Sequence, residues 1–314
     1  MSNTLNIVFL DASTLGDVDN LKKLGELGNF ISYDTTFPEE RVTRIGNNNV
    51  VITNKVIIDK DVMDKCSGIE LICIAATGMN NVDLDYAGVK GIHVKNVKGY
   101  STESVAQSTF SMLLNLMHQI SYYDNYVKSG SYSKSPIFTH HGRSFSELKG
   151  KRFGIIGLGT IGKRVAEIAT AFGADVVYYS TSGKNLNTGY EHADLNTLLT
   201  ISDVVSIHCP LNENTHNLID LSKLKLMKPT AYLLNMGRGG IVNEKDLAKA
   251  IDSNLIAGAA VDVLTKEPVD YNNPLINIKN KEKIIITPHI AWASIESRRL
   301  LVEKLYYNIQ TFKK

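Results

Sequence analysis

Three short segments in the last third of the sequence carry ionisable side chains beside glycine or proline. Arg238 lies in the run Asn-Met-Gly-Arg-Gly-Gly at 235–240, and Glu267 and His289 each stand next to a proline. Hydride transfer to a keto acid needs a cation for the carboxylate and carbonyl, a proton donor for the forming alkoxide, and a group that tunes the donor. Each residue alone also fits a solvated charge, a turn residue or a cap. Together they indicate a catalytic set.

An earlier segment has the pattern of a dinucleotide site. Residues 153–162 form a short apolar run followed by G-x-G-x-x-G, and a helical pattern continues over 163–172. In such a turn the first glycine allows the tight bend, the second lets the backbone approach a pyrophosphate, and the third lets the helix lie close to the strand. Amides at the helix start hold the phosphates. The predicted cofactor residues of this turn are Gly157, Gly159, Thr160, Ile161 and Gly162.

The residue after the second strand of this series bears on the choice of cofactor. Ser180 occupies the position where an acid commonly binds the adenosine ribose, which removes the usual preference for NAD. The hydroxyls of Ser180, Thr181 and Ser182 with the charge of Lys184 could receive the 2′-phosphate of NADP. Equally, Ser180 could hydrogen-bond the ribose of NAD. We predict NAD as cofactor and leave the use of NADP open.

Two series of strands alternating with helices are predicted to position these segments. The alternation is typical of βαβ units and of doubly wound parallel sheets, whose strand ends carry the ligand site. The strands of the first series are expected at 7–10, 50–53, 71–75 and 92–94. Those of the second are expected at 153–156, 176–179, 204–208, 231–235, 256–261 and 284–287.

The segments outside the two series have different patterns. Apolar residues at helical spacing predict a helix over 101–120. Residues 121–147 are polar, aromatic and poorly periodic, so we expect an irregular arm whose tyrosines suit a surface covered by a second subunit. A helical pattern over 295–312 is too short for a domain and is expected to pack on the first one.

Composition narrows the class of protein. The chain has 314 residues, 43% of them hydrophobic, and a formal net charge of +2 without basic runs, so neither nucleic acid nor a membrane is expected as a partner. The start has no signal-peptide pattern and no segment approaches a membrane span, which predicts a cytoplasmic location. Cys66, Cys73 and Cys209 lack metal or redox spacing and are expected to be buried thiols, so no metal site is predicted.

Several motifs occur in an order that one enzyme family shares. They are Ala-Thr-Gly-Met-Asn-Asn-Val-Asp at 76–83, the glycine turn at 157–162, His-Cys-Pro-Leu at 208–211 with Thr215, the run at 235–240, Asp262 with Glu267-Pro268, and Pro288-His289. Over nearly its whole length the chain resembles the D-isomer-specific 2-hydroxyacid dehydrogenases, which include glycerate, phosphoglycerate and D-lactate dehydrogenases. Ser180 and Asn80 depart from the acids that the family often has at those positions.

The resemblance implies roles for named residues. Arg238 would bind the substrate carboxylate and carbonyl oxygen, His289 would be the acid and base, and Glu267 would pair with His289 and favour its protonated form. From the other domain, amides around Thr77, Gly78 and Met79 would hold the carboxylate. Further cofactor contacts would come from Asp262 near the nicotinamide carboxamide and, along the adenine side, from His208, Pro210 and Thr215.

The resemblance also implies a fold and a domain order. It predicts a Rossmann cofactor domain at 99–287, inserted into a discontinuous flavodoxin-like substrate domain made of 1–98 and 288–314, with a cleft that closes on substrate. A homodimer is expected through the cofactor domain.

The segment 290–294, Ile-Ala-Trp-Ala-Ser, resembles the glycerate dehydrogenase branch. Hydroxypyruvate or glyoxylate is therefore the substrate expected first, before pyruvate, whose product would be D-lactate, and larger 2-keto acids. Trp292 could wall the substrate pocket, or it could simply pack. Formate dehydrogenases resemble this chain but pair their histidine with Gln, so Glu267 argues against that activity. An NAD-sensing, non-enzymatic binding protein is a remote alternative.

Overall fold

A computed structural model describes residues 4–184 and 189–312 of the chain. Contacts divide the chain into two compact units, one made of Met1–Ser101 with Ala293–Lys314 and the other of Thr102–Trp292. The sequence analysis places the domain boundaries after residues 98 and 287, and the ends of the functional domains stay predictions.

The first unit contains a parallel five-stranded sheet. Its strands are β1 (Leu5–Phe9), β2 (Gly28–Ser32), β3 (Val50–Thr53), β4 (Leu71–Ile74) and β5 (His93–Asn96), and its first helices are α1 (Arg41–Ile45), α2 (Lys60–Lys65) and α3 (Leu84–Val89). The spatial order β2-β1-β3-β4-β5 is the flavodoxin-like one. Strand β2 was not predicted, because it lies at the sheet edge and is mostly exposed, so it lacks an apolar run.

The second unit contains a seven-stranded sheet with helices on both faces. Its helices are α4 (Thr102–His118), α5 (Ile120–Lys128), α6 (Thr160–Ala171), α7 (Leu195–Ile201), α8 (Leu221–Leu224) and α9 (Glu244–Asp252). Its strands are β6 (Arg152–Ile156), β7 (Asp175–Tyr179), β8 (Glu191–His192), β9 (Val204–Ile207), β10 (Tyr232–Asn235), β11 (Gly258–Val261) and β12 (Ile284–Ile286). All strands are parallel, in the order β12-β11-β10-β9-β6-β7-β8. The predicted doubly wound Rossmann fold is confirmed.

The core of the second unit has two layers because strand side chains alternate between the faces of the sheet. Phe153 and Ile155 of β6 pack with α4 and α6, whereas Ile156 packs on the opposite face with α7, α8 and α9. Helix starts are fixed by side-chain caps, such as Asp194 at α7 and Asn243 at α9. Because the strands are parallel, their carboxyl ends lie at one edge of the sheet.

The C-terminal helix α10 (Ile295–Gln310) belongs to the first unit, where it packs against β4 and a 3₁₀ turn at Leu21–Leu27. Asn20 donates to Glu303 of this helix at 3.1 Å. Further 3₁₀ turns lie at Ala12–Leu15, Pro38–Glu40, Tyr132–Lys134 and Lys281–Lys283. Within 4–184 and 189–312, no helix combines the length and apolarity needed to cross a membrane.

The predicted helix after residue 101 is confirmed as α4, but the expectation of an irregular arm over 121–147 is wrong at its start. Gln119 takes a left-handed conformation with φ of 54°, and α5 then begins as a separate helix. The sequence of α5 has no clear period of apolar residues, because none of its side chains is buried. The remainder of the arm is largely irregular, and Phe138 within it is 90% exposed.

Candidate active site

The three predicted catalytic residues follow three neighbouring strands of the second unit. Arg238 comes after β10, Glu267 after β11 and His289 after β12. Because these strands are parallel and paired in this order, the loops after them lie at the same edge of the sheet. That edge is where open α/β sheets bind ligands.

His289 and Glu267 form a direct pair. Nδ1 of His289 lies 2.7 Å from Oε2 of Glu267, while Oε1 of the same carboxylate accepts the amide of Leu264 at 2.9 Å. The two side chains are 22% and 35% exposed. Among the hydrogen bonds of the described residues, none uses Nε2 of His289. This ring nitrogen is therefore the one available to a substrate.

Arg238 lies in a turn that is fixed by its own strand. Asn235 accepts the amide of Gly237 at 3.2 Å and donates to the carbonyl of Arg238 at 3.0 Å. A side chain at Gly239 would overlap the carbonyl of Leu264, so the backbone of this turn packs directly against the loop that leads to Glu267. The half-buried side chain of Arg238 thus lies on a turn that is held by hydrogen bonds, next to the loop that carries Glu267.

Glu244 supports the site, and sequence reasoning missed it. Its carboxylate accepts the amide of Thr265 at 2.6 Å and the side-chain amide of Asn273 at 2.7 Å, which fixes both ends of the loop that carries Glu267. The only sequence signal is an acid in the first turn of α9, which is equally explained by the helix dipole.

The glycine turn has the geometry that a dinucleotide requires. Gly157 has φ of 93°, and a side chain there would overlap the backbone of Cys209, whereas one at Gly162 would overlap the carbonyl of Gly157. Nothing lies within 4 Å of the position that a Cβ on Gly159 would take, so this backbone is open to a ligand at the start of α6.

A cavity of about 400 Å³ adjoins this turn. Its lining combines glycines, hydroxyl and amide side chains, a histidine and a few apolar or thiol side chains: Gly157, Leu158, Gly159, Ser180, Thr181, Ser182, His208, Cys209, Pro210, Asn212 and Asn214. Oγ of Ser180 and Nδ1 of His208 are buried without a partner in the described chain. Burial lowers the pKa of His208 to about 3, so its ring is neutral. The cavity can therefore offer uncharged hydrogen-bonding groups to an adenosine.

A second cavity of about 520 Å³ lies at the start of α6 and is lined in part by Gly159, Thr160 and Lys163. Ile161 and Gly162 belong to the same first turn of α6, where Gly162 closes the approach of helix to strand.

Some predicted cofactor residues lie elsewhere. Thr215 is fully buried, and its hydroxyl donates to the carbonyl of Pro210 and accepts the amide of Asn212, so it shapes the loop beneath the first cavity. Lys184 is exposed at the end of a described segment and does not line either cavity. The carboxylate of Asp262 is buried and engaged by the loop of His289.

The predicted substrate residues Thr77, Gly78 and Met79 lie in the first unit, in the loop after β4. The hydroxyl of Thr77 donates to Val97, and the carbonyl of Thr77 accepts from Asn96. Within the described chain no hydrogen bond uses the three amides of 77–79, so they are open to an anion. Their contact with substrate stays a prediction.

Trp292 is half-buried and packs on the hydrophobic core of the second unit. Whether it also contacts substrate stays a prediction. All three cysteines are buried free thiols, as expected.

Comparison with known proteins decides the family. Residues 110–291 match the family model described as D-isomer specific 2-hydroxyacid dehydrogenase, NAD binding domain. The chain belongs to this family. A relative named hydroxypyruvate reductase, from Blautia hydrogenotrophica, is 37% identical over 99% of this chain and 97% of its own length.

Solved structures of 2-hydroxyacid dehydrogenase fold agree with this assignment. D-lactate dehydrogenase from Aquifex aeolicus, complexed with NAD and lactic acid, matches with a TM-score of 0.86 and 28% identity over 98% of this chain and 95% of that one. An acyclic imino acid reductase in complex with NADPH and D-Arg matches with a TM-score of 0.86 and 29% identity over 98% and 96%. Both nicotinamide cofactors thus occur among similar structures.

We predict that Ser180→Asp shifts binding from NADPH towards NADH. A carboxylate at this cavity position can accept both ribose hydroxyls of NADH but repels the 2′-phosphate of NADPH. We expect the ratio of the two dissociation constants, measured by fluorescence titration, to change by about 5- to 150-fold. If Lys184 also meets the 2′-phosphate, Lys184→Ala should weaken the binding of NADPH alone.

Ser222→Asp is the matched control, since it adds the same charge at an exposed serine outside both cavities. A change of less than about twofold in the ratio for both Ser180→Asp and Lys184→Ala would show that neither residue faces the ribose.

Proposed function

We propose that this chain reduces a small 2-keto acid, hydroxypyruvate or glyoxylate first, to the D-2-hydroxy acid with NAD(P)H, and catalyses the reverse reaction. The observation that carries the proposal is the His289-Glu267 pair at 2.7 Å, on the sheet edge that also presents Arg238. The name of the 37% identical hydroxypyruvate reductase supports the choice of substrate.

The residues divide the chemistry among them. The guanidinium of Arg238 binds the carboxylate and polarises the C2 carbonyl, because a cation stabilises the negative charge that develops on its oxygen. A bound reduced nicotinamide supplies the hydride that C2 accepts. The carbonyl electron pair moves to oxygen, and His289 donates the proton of Nε2 to it.

Glu267 makes His289 an effective donor. Its carboxylate accepts from Nδ1, which fixes the orientation of the ring and stabilises the imidazolium before the proton leaves. In the reverse direction the neutral ring accepts the proton of the hydroxyl. Oxidation of formate transfers no such proton. The carboxylate of Glu267 beside the histidine therefore supports a keto acid, rather than formate, as substrate.

D-lactate dehydrogenase or another D-2-hydroxyacid dehydrogenase is the second candidate, favoured by the likeness to the D-lactate dehydrogenase complexed with lactic acid. We propose NAD as the cofactor, with NADP accepted because none of the described residues that line the cavity around Ser180 is an acid. A cytoplasmic location is also part of this proposal.

Arg238→Ala in a substrate panel tests the proposal directly. With NADH and NADPH against hydroxypyruvate, glyoxylate and pyruvate, we expect turnover by the parent, which would exclude a non-enzymatic NAD-sensing role. Arg238→Ala should lower kcat/KM by more than tenfold, which corresponds to more than about 1.4 kcal/mol. The dissociation constant of NADH should stay unchanged.

The matched control is Arg152→Ala, since Arg152 pairs with Glu191 at the amino end of β6, away from the proposed site. If Arg238→Ala kept more than about a tenth of the parental kcat/KM, Arg238 would be removed from the site. A parent inactive with every acid of the panel would contradict the proposed function itself.

Glu267→Gln should lower kcat for reduction by about tenfold or more. Glutamine still accepts a hydrogen bond from Nδ1 but carries no negative charge to stabilise the protonated ring that donates to the carbonyl oxygen. The measurement is kcat for parent and variant, with the NADH dissociation constant as the control. His289→Asn, the reference without a donor, should lower kcat by about 10²–10⁴. An unchanged kcat in Glu267→Gln would contradict the proposed role of the carboxylate.

We further propose a two-fold homodimer through α4, α5 and the arm that follows. Ile137, Phe138 and Phe145 of the arm are 58%, 90% and 58% exposed, and large apolar side chains left exposed in one segment suit a subunit interface. Isologous contacts are the commonest route to a closed oligomer.

The Phe138→Glu variant should weaken this dimer, because it places a charge at the most exposed of these apolar side chains. Light scattering at micromolar concentration is expected to give a dimer for the parent and a lower mean mass for the variant. Tyr271→Glu, an equally exposed aromatic outside the arm, should leave the dimer unchanged. A monomeric parent would refute the assembly.

A further inference from the structure

The loop that carries His289 is held by one carboxylate. Oδ1 of Asp262 accepts the hydroxyl of Thr287 at 2.6 Å and the amide of Ile290 at 2.9 Å, and Oδ2 accepts the amide of Ala291 at 3.0 Å. Burial raises the pKa of Asp262, while these three hydrogen bonds and the nearby His289 lower it. The three hydrogen bonds from this loop fix the position of the buried carboxylate. The carboxylate in turn fixes the conformation of the loop.

The backbone of His289 needs such support. Its φ is 55°, in the left-handed region that residues other than glycine rarely adopt and keep only where their surroundings impose it. Its own amide lies 2.8 Å from the carbonyl of Asp262. Asp262 therefore bonds the residues before and after His289 through its side chain, and His289 itself through its backbone.

Side chains of α4 also hold this loop by hydrogen bonds. The carbonyl of Ala291 accepts the hydroxyl of Ser104 at 2.6 Å and that of Ser108 at 3.3 Å, while its amide faces Asp262. The peptide groups on either side of Ala291 are thus held from opposite sides, and the loop has little freedom to rotate. In this backbone conformation Nδ1 of the imidazole lies 2.7 Å from Oε2 of Glu267.

We propose that Asp262 is a positioning residue for His289, whose loop it holds in the left-handed conformation that keeps the imidazole on Glu267. The inference rests on the proposed function for the role of His289 as proton donor. It is separate from the role that the family resemblance implies for Asp262, a contact with the nicotinamide, and is compatible with it, because a carboxylate can accept about four hydrogen bonds and the loop uses three.

Two substitutions test the hydrogen bonds separately. Asp262→Asn leaves a single acceptor oxygen, so at least one loop donor loses its partner, and we expect kcat to fall about 10- to 100-fold. Thr287→Val removes one donor and keeps the shape, for an expected fall of about 3- to 10-fold, and Thr287→Ser should recover most of that loss. NADH dissociation constants should stay within about twofold of the parent in all three.

Hydrogen exchange provides a readout that does not require turnover. In the protein without substrate, the amides of Ile290 and Ala291 should exchange at least about tenfold faster in Asp262→Asn than in the parent. The matched control is Asp203→Asn, since Asp203 also accepts a backbone amide, that of Arg152 at 2.9 Å, but at the amino end of β9. It should leave kcat and the exchange of this loop unchanged.

The outcomes separate this inference from the proposed function. Weakened NADH binding in parallel with kcat, with unchanged exchange at Ile290 and Ala291, would assign Asp262 to the cofactor and overturn the inference. If Asp262→Asn fails to fold, Thr287→Val and Thr287→Ser decide by the same measurements, and equal activity in the two would also overturn it. A parent without 2-keto acid reduction refutes the proposed function, whereas the exchange result still tests the loop.

Discussion

The contact between His289 and Glu267 is the constraint on which the site depends, because a hydrogen bond of 2.7 Å must join loops that follow different strands. A parallel sheet brings such loops to one edge but does not fix their conformations. Here polar side chains do so: Asp262 holds the loop of His289, Glu244 holds that of Glu267, and Asn235 holds the turn of Arg238. Each uses both polar atoms of its carboxylate or amide group, so the catalytic side chains are positioned before substrate arrives.

Much of this arrangement could be predicted from the sequence because its signals are local. The apolar run before Gly157 and the helical pattern after it indicate a strand, a turn and a helix within some twenty residues, and β6 and α6 lie there. The alternation of strands and helices predicts parallel sheets, whose carboxyl edge then collects the residues after β10, β11 and β12. The family resemblance supplied the chemical roles, which periodicity alone does not contain.

The parts that were missed depend on distant contacts. Strand β2 is recognised only by its pairing with β1, since its side chains are mostly exposed. The bonds of Asp262 join residues 25 to 29 positions apart, and no short motif reports which loop its carboxylate faces. Thr215 lies in a motif shared with the family, yet its hydroxyl is used within its own loop. Sequence position indicates that such residues matter, and the fold decides how.

The central claim is that hydride reaches C2 of a 2-keto acid while His289 protonates its oxygen, and an isotope label tests this most directly. The protein would be incubated with hydroxypyruvate and reduced nicotinamide cofactor that carries deuterium at the transferable position of C4. The product would be analysed by mass spectrometry and chiral chromatography. The account predicts D-glycerate that carries one deuterium, located at C2. Glycerate without deuterium at C2, the L-isomer, or no glycerate at all would contradict it.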